Sequence, residues 1–235
     1  MAEDLGLLFL HALPLTGDMW SAQMDVYPGP VYAPTLYGQG DSMRDWAQSA
    51  LSLVKEERII VVGCSVGGSC ALEVAALAPE RVAALVLIGT NARHRPDPEL
   101  HARALRILAG EGVDAAWDTF WHRFFADGNT LARDQGRRLA LTRTAEDIAR
   151  GVTVFHTRPD LEHVLAAFDG PVVFVTGDVD VAPGPKSSAR QTGLARHGRL
   201  HVIPDCGHYV PLERPEALND ILREVIAAEM PEPLP

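Results

Sequence analysis

Short apolar runs rich in β-branched residues recur along the chain, and stretches with helical periodicity separate them. An apolar run bounded by turn residues is typical of a strand that is buried on both faces of a parallel sheet. The runs predict strands near residues 6–10, 31–33, 59–62, 84–88, 172–176 and 200–203. Because helical stretches alternate with them, we expect an α/β fold with a mostly parallel sheet of about six strands flanked by helices.

Residues 91–169 interrupt this alternation, because they contain no convincing strand. Helical periodicity predicts helices instead, near residues 99–109, 113–125, 130–141, 145–155 and 161–168. We therefore expect a core formed by residues 1–90 and 170–235, with a helical unit of residues 91–169 inserted in it.

Gly63-Cys64-Ser65-Val66-Gly67 stands where the strand near residues 59–62 gives way to a helix-like segment. A strand that turns sharply into a helix holds its apex residue in a strained conformation, and glycines two places away let the two elements pass. This context predicts that Ser65 is a nucleophile and that the Val66 N–H points toward the same place from the positive end of the helix. The alternative is a glycine-rich turn that carries no chemistry.

A serine nucleophile requires a base and an acid, and the chain offers a position for each. Of the nine histidines, His208 lies in the loop directly after the strand near residues 200–203, where a base can reach the end of the sheet. The strand near residues 172–176 is followed by Gly177-Asp178-Val179-Asp180. From this position alone, Asp178 and Asp180 are both candidates for the acid.

With these pieces in the order serine, acid, histidine, the chain resembles the α/β-hydrolase fold superfamily over nearly its whole length. The motifs that carry the resemblance include Phe9-Leu10-His11-Ala12, Tyr37-Gly38-Gln39-Gly40-Asp41-Ser42, Gly63-Cys64-Ser65-Val66-Gly67-Gly68, Gly177-Asp178-Val179-Asp180 and Gly207-His208-Tyr209-Val210-Pro211. The resemblance implies a catalytic triad of Ser65, Asp180 and His208, because the acid of the superfamily follows the pattern Gly-x-x-Asp. It also implies that the superfamily's N-terminal hairpin is missing here and that residues 91–169 form a helical lid.

The resemblance further implies an oxyanion hole formed by the backbone N–H groups of Leu13 and Val66. The superfamily carries a His-Gly pair before the first of these donors, whereas Ala12 follows His11 in this chain. If the position requires a positive φ, alanine costs roughly 1–2 kcal/mol there and the loop is reshaped. Loss of one oxyanion donor typically lowers the rate about 100- to 1,000-fold.

Aromatic residues in the helical unit fall at spacings that form one apolar face. They are Trp117, Phe120, Trp121, Phe124 and Phe125. We expect this stripe to roof a substrate pocket, with Trp117, Trp121 and Phe125 in its wall. The alternative is that the stripe only packs the helical unit onto the core.

The 235 residues carry a net charge of −10, and 47% of them are hydrophobic. This apolar content suffices for one substantial core, and the acidic balance argues against nucleic acid as a partner. Arg93, Arg95 and Arg123 are nevertheless candidates for binding a substrate carboxylate, unless they simply form a solvated surface.

Targeting and redox features are sparse. The first residues lack a basic region and no apolar run is long enough for a span, so we expect neither a signal peptide nor a membrane partner. The three cysteines, Cys64, Cys70 and Cys206, show no metal-ligand spacing and are expected to be reduced in a cytoplasmic protein. We expect no cofactor and no metal, and the sequence leaves open whether the protein is a monomer or a homo-oligomer.

Fold and triad alone do not determine the reaction. The leading hypothesis is hydrolysis of a small carboxylic ester, lactone or related acyl compound through an acyl-enzyme, since the chain resembles small bacterial esterases and enol-lactonases. One alternative is C–C bond hydrolysis or a lyase step of the menaquinone-pathway type, in which the same triad works mainly in proton transfer. Another is a ligand-binding regulator of hydrolase fold. In each case the expected partner is a small molecule.

Overall fold

The computed structural model describes residues 5–230, which form one six-stranded sheet flanked by helices. The strands are β1 (Leu5–Leu10), β2 (Val31–Tyr32), β3 (Arg58–Cys64), β4 (Val82–Ile88), β5 (Val172–Gly177) and β6 (Gly198–Ile203). They lie in the order β2-β1-β3-β4-β5-β6, and all five neighbouring pairs are parallel. The predicted α/β sheet of six strands is confirmed. The expected absence of a hairpin before β1 concerns residues 1–4, which lie outside the described part.

Helices connect and flank the strands. They are α1 (Met43–Leu53), α2 (Val66–Leu77), α3 (Pro98–Ala116), α4 (Thr130–Ala140), α5 (Ala145–Thr157), α6 (Glu162–Ala167), α7 (Gly184–Thr192), α8 (Val210–Glu213) and α9 (Pro215–Glu229), with short 3₁₀ helices at Gly17–Gln23 and His122–Phe124. Their starts follow from local sequence, because side chains satisfy the free N–H groups of the first turn. Ser42 and Asp45 form a reciprocal capping box at the start of α1, and Asp97 accepts the Leu100 N–H at the start of α3. None of the helices in residues 5–230 is long and apolar enough to cross a membrane.

The core lies on both faces of the sheet. All six residues of β1 are buried, as expected for a parallel strand covered by helices on each side. One group of helices is formed by α2 with α1 and α6, whereas α9 packs against β4 and the 3₁₀ helix Gly17–Gln23. The largest fully buried side chains include Trp20 and Trp46.

The strand order creates a crevice at the carboxyl ends of β1 and β3. From β1 the chain moves outward to β2, and from β3 it moves in the opposite direction to β4. Right-handed crossovers that run in opposite directions lie on opposite faces of the sheet, so the loops after β1 and β3 separate there. Leu13 follows β1 and Ser65 follows β3, and both therefore lie at the edge where ligands bind in open α/β sheets.

Residues 91–169, called here the helical segment, contain α3 to α6 and lie between β4 and β5. Helix α3 packs against α5 and is kinked at Gly112, whose φ is 84°. Beyond α3, the turn Trp117–Trp121 is a π-helix, and the chain then tightens into the 3₁₀ helix at His122–Phe124. The predicted helices are present, but this change of helical period alters which aromatic residues share a face.

Candidate active site

Ser65 lies at the sharp turn from β3 to α2, with φ 56° and ψ −117°. Within residues 5–230, Ser65 and Asp205 are the only non-glycine residues with positive φ. Strain of this kind persists where surrounding contacts impose it, and such contacts are common at active sites. Here the Ser65 N–H donates to the carbonyl of Ile88 at 2.8 Å, and the N–H groups of Gly68 and Ser69 bond back to the Ser65 carbonyl.

Two glycines make this turn possible by allowing close approach of backbone. A Cβ on Gly63 would collide with the carbonyl of Gly67, and a Cβ on Gly67 would collide with the carbonyl of Leu10. Backbone atoms cannot yield as the end of a flexible side chain can, so both positions require glycine. The sequence pattern around Ser65 therefore reflects the packing of α2 against β1 and β3.

His208 and Asp180 form a buried pair in the loops after β6 and β5. Nδ1 of His208 lies 3.2 Å and 3.1 Å from the two carboxylate oxygens of Asp180. Asp180 also accepts the Ala182 N–H at 2.8 Å and the Thr176 hydroxyl at 3.4 Å. Burial by itself raises the pKa of Asp180, but the charge of His208 and these hydrogen bonds outweigh it, so the pKa lies below its ordinary value. An ionised Asp180 fixes the imidazole with Nδ1 as its donor.

Asp178, the other candidate acid, is exposed and has a different partner. Its carboxylate accepts the Cys206 N–H at 3.2 Å, and hydrogen bonds from the backbone, that of Cys206 first, lower the pKa of Asp178. This bond ties the loop after β5 to the loop after β6. The structure thus brings Asp180, and not Asp178, to His208.

Ser65 and His208 line the same cavity, whose volume is about 790 Å³. Because Nδ1 of His208 is bonded to Asp180, Nε2 is the nitrogen left for proton exchange with a group in this cavity. Gly89, at the end of β4, passes so close to the imidazole that a Cβ there would lie 2.7 Å from its Cε1 and Nδ1 atoms. The His208 N–H donates to the carbonyl of Phe124 in the helical segment at 2.8 Å, which further restrains the histidine.

The two expected oxyanion donors lie on the loops after β1 and β3. Val66 is the first residue of α2, where an N–H has no partner within the helix, and Leu13 lines the cavity. Ala12 is not among the described residues with positive φ, so the strain considered for an alanine at this position does not arise. Its N–H contacts Sδ of Met19 at 3.3 Å, and the Leu13 carbonyl accepts the Tyr209 hydroxyl at 2.9 Å.

His11 holds the loop after β1 as a neutral imidazole. Its Nε2 accepts the Leu36 N–H at 2.9 Å, which leaves Nδ1 as the donor to the Ala12 carbonyl at 3.1 Å. Burial lowers the pKa of His11 to about 4, and the bond to Ala12 offsets only part of this shift. His11 therefore positions Ala12 and Leu13 without carrying a charge near neutral pH.

Of the three residues expected in the wall of a substrate pocket, the structure places Trp121 at the cavity but not Trp117 or Phe125. Trp121 lines the cavity, together with Phe120 and Phe124. Trp117 and Phe125 are absent from the described cavity wall, because they pack on each other with ring centroids 5.8 Å apart. Phe125 also stacks on Tyr209 at 4.5 Å. The π turn and the extended backbone at Phe125 rotate these residues away from the face that a regular helix would give them.

Three cavity residues at the end of α5 were not predicted from the sequence: Phe155, His156 and Arg158. The helical pattern predicts α5, but Arg158 follows the helix and precedes a proline, where a charged residue is ordinarily exposed. Among residues 5–230, no group of three or more His, Cys, Asp or Glu side chains is arranged to hold a metal ion.

Comparison with known proteins agrees with this architecture. A thermophilic esterase from Thermogutta terrifontis has a similar structure, with a TM-score of 0.87 and 26% identity, covering 97% of this chain and 91% of that one. A pimeloyl-acyl-carrier-protein methyl ester esterase from Nitrosomonas europaea is 28% identical, over 89% of this chain and 91% of the relative. A 2-succinyl-6-hydroxy-2,4-cyclohexadiene-1-carboxylate synthase from Enterobacter sp. (strain 638) is also 28% identical, over 94% and 91%.

The family assignment rests on a match that spans nearly the whole described chain. Residues 7–221 match the alpha/beta hydrolase family, and this range contains the turn at Ser65, the pair of Asp180 and His208, and the loop that carries Leu13. The chain therefore belongs to the alpha/beta hydrolase family of enzymes.

Proposed function

We propose that the protein is a serine hydrolase that cleaves a small carboxylic ester through an acyl-enzyme, with Ser65 as nucleophile, His208 as base and Asp180 as acid. The observation that carries this proposal is the buried pair of His208 and Asp180 at the wall of the cavity that Ser65 also lines. A serine hydroxyl is a weak nucleophile near neutral pH, and a paired histidine is the usual means of activating it.

In the proposed reaction, Ser65 Oγ forms a bond to the ester carbonyl carbon while Nε2 of His208 takes the hydroxyl proton. Asp180 stabilises the resulting imidazolium through its two contacts with Nδ1. The tetrahedral intermediate then breaks its bond to the alcohol oxygen, which leaves with the proton from His208. Water attacks the acyl-enzyme in the same manner and releases the acid.

Negative charge develops on the carbonyl oxygen in both steps. The N–H groups of Val66 and Leu13 are the proposed donors, with the positive end of α2 adding to the stabilisation. Both residues lie at the crevice between β1 and β3, which supports this assignment. His11 also supports it, because it bonds to the Ala12 carbonyl and so fixes the peptide group that contains the Leu13 N–H.

The cavity favours a substrate with an apolar portion. Phe120, Trp121, Phe124 and Phe155 line it, and its volume of about 790 Å³ accommodates a molecule well beyond acetate esters. Two relatives named as esterases, with 26% and 28% identity to this chain, support ester hydrolysis over other acyl chemistry.

A second candidate is the lyase reaction of the relative from Enterobacter, which is as similar in sequence as the methyl ester esterase. In that case the same three residues serve proton transfer, and no acyl-enzyme forms. The two functions therefore differ in whether Ser65 becomes covalently modified during turnover.

The decisive experiment combines covalent labelling with a panel of methyl esters of graded acyl length. We expect a fluorophosphonate probe to label the wild-type protein and Ser69→Ala, but not Ser65→Ala. Ser69 is the matched control because it lines the same cavity one turn further along α2. Turnover is expected to fall by several orders of magnitude in Ser65→Ala alone.

Three results would argue against the proposal in different ways. Undiminished turnover in Ser65→Ala would exclude Ser65 as the nucleophile. Labelling at Ser65 without turnover of any ester would favour the lyase, or a regulator that retains the triad. Failure to label the wild-type protein, with the fold intact by circular dichroism, would exclude an activated serine.

A further inference from the structure

A second pocket of about 330 Å³ shares Asn91 and Arg158 with the catalytic cavity. Its remaining wall is formed by Arg93, Arg95, Ser187 and Arg190. These six residues are called here the arginine pocket. Four of its six residues are arginines, in a chain whose net charge is −10, so the local charge is opposite to that of the molecule as a whole.

Arg158 is the central residue of this pocket, because it lines both cavities and only 8% of its surface is exposed. Its Nη1 donates to the Phe155 carbonyl at 2.6 Å, and its Cζ lies 4.0 Å above the centroid of the Phe155 ring. Nε is buried and has no hydrogen-bond partner. A buried donor without a partner is costly, and an acceptor supplied by a ligand would satisfy it.

Few carboxylates neutralise the arginine pocket. Arg190 is paired with Glu162, but within residues 5–230 no ion pair involves Arg93, Arg95 or Arg158. Asp160 is the carboxylate whose charge acts on Arg158. Its oxygens accept the backbone N–H groups of His94 and Glu162 and form no ion pair with Arg158. Burial lowers the pKa of Arg158 to about 10 and Asp160 opposes this shift, so the guanidinium stays charged near neutral pH.

The apolar and cationic walls meet at Asn91 and Arg158, which line both cavities. Ser65 and the aromatic residues line the cavity itself, while Arg158 lines both it and the arginine pocket. A ligand with an ester at one end and an apolar chain in the middle would bring its far end to the guanidinium groups. The planar fork of arginine suits carboxylate and phosphate groups, because it donates two parallel hydrogen bonds to them.

We propose that the arginine pocket binds an oxyanion group, carboxylate or phosphate, carried by the substrate at the end remote from the scissile ester. This inference rests on the proposed ester hydrolysis and names its substrate class, which is an ester with a terminal anion. A neutral ester of equal length leaves the donors of Arg158 unsatisfied, and a site with unpaired polar groups discriminates against such an analogue.

The test compares three methyl esters that differ only at the far end of a four-methylene chain. Monomethyl adipate carries a carboxylate, methyl hexanoate carries a methyl group, and the methyl ester of ω-phosphonooxyvaleric acid carries a phosphate. We expect kcat/KM for at least one anionic ester to exceed that for methyl hexanoate by about 10- to 100-fold, as expected for a charged hydrogen-bonded contact. The more reactive of the two anionic esters identifies the group that the pocket takes.

Variants locate this preference in the pocket. Arg158→Gln is expected to lower the ratio of anionic to neutral kcat/KM by about 10- to 100-fold, and Arg158→Lys, which keeps the charge but loses the fork, is expected to lower it less. Because Arg158 is buried and its replacement can impair folding, the exposed pair Arg93→Gln/Arg95→Gln provides a second test. Arg199→Gln, on the exposed face of β6, removes the same charge elsewhere and is expected to leave the ratio unchanged.

Direct binding separates the failure of this inference from the failure of the proposed function. Isothermal titration of Ser65→Ala with monomethyl adipate and with the phosphonooxy ester requires no turnover. Binding that weakens on adding Arg158→Gln supports the arginine pocket even if no ester is hydrolysed. Equal kcat/KM for all three esters in the wild-type protein, or a ratio that Arg158→Gln and the exposed pair both leave unaltered, overturns the inference while ester hydrolysis stands.

Discussion

The carboxylate of Glu213 accepts the backbone N–H of Gly207 at 3.0 Å, directly before the candidate base in the chain. The same carboxylate accepts the N–H of Tyr209 at 3.2 Å. From the helical segment it accepts the Ala126 N–H at 2.8 Å and the side-chain amide of Asn129 at 2.8 Å. One buried carboxylate thus holds the loop that carries His208 against the segment that forms the cavity wall.

Glu213→Ala is expected to destabilise the protein and to lower turnover together. The substitution removes the acceptor of four donors, and each buried donor without a partner costs roughly 1–3 kcal/mol. We expect the free energy of unfolding to fall by about 3 kcal/mol or more in urea titrations, and kcat to fall because His208 loses its restraint. Glu213→Gln keeps one acceptor oxygen and should show smaller losses. Glu224→Ala, exposed on α9, is the control, and equal behaviour of the two alanine variants would contradict this role.

Asp180→Asn is expected to lower kcat by about 10⁴-fold, because an amide does not hold the imidazole in the required tautomer or stabilise its cation. Asp178→Asn is the matched control, since Asp178 is exposed and its carboxylate accepts backbone N–H groups of the loops after β5 and β6 instead of contacting His208. We expect it to lower kcat by less than about tenfold. Steady-state kinetics on the preferred ester measure both effects, and the reverse order of losses would assign the acid to Asp178.

His11 makes stability depend on pH in a defined window. In the unfolded chain its pKa is the ordinary 6.5, whereas burial lowers it to about 4 in the folded protein. Between these values only the unfolded state binds the proton, so the free energy of unfolding falls as the pH decreases from 6.5 to 4. The total loss is about 3 kcal/mol at about 1.4 kcal/mol per pKa unit.

Replacing His11 by asparagine is expected to remove this contribution. The difference in unfolding free energy between wild type and His11→Asn should shrink as the pH is lowered from 7 to 4, by up to about 3 kcal/mol. Urea titrations at graded pH measure it. His197→Asn, at an exposed histidine, is the control. A difference from wild type that depends on pH no more for His11→Asn than for this control would rule out the buried neutral imidazole.

Ala12→Gly is expected to lower stability without increasing the rate. Because Ala12 does not have a positive φ, glycine relieves no strain and only adds freedom to the unfolded chain. This costs roughly 0.4–1 kcal/mol. Melting temperature and kcat measured on the one variant separate the two effects, and a rise in kcat would show that alanine distorts the oxyanion loop.

The sequence predicts a site residue best where a reactive side chain stands in a stretch that allows few backbone conformations. Ser65 could be located because a β-branched run, a turn with flanking glycines and a helix leave few other conformations for that stretch. Asp180 needed the resemblance to a family, since Asp178 is equally well placed by its distance from β5. The structure separates the two from geometry alone, through the contact of Asp180 with His208.

The cavity could not be predicted in the same way. Its aromatic wall depends on the π turn at Trp117–Trp121, and no residue in that stretch signals a change of helical period. Arg158 is buried and shares its pocket wall with Asn91, Arg93 and Arg95 of the loop after β4, which are distant from it in the chain. Neither feature is encoded in a local pattern.

The bond from the His208 N–H to the Phe124 carbonyl couples the local unfolding of two segments. Together with the bond from the Ala126 N–H to the Glu213 carboxylate, it ties the loop that carries His208 to the nearest part of the cavity wall. Segments joined in this way open as one cooperative unit. The amide hydrogens of His208 and Ala126 should therefore exchange with solvent through a single opening event. Displacing the cavity wall at Phe124 to admit a substrate would also displace His208, the candidate base, from its contact with Asp180.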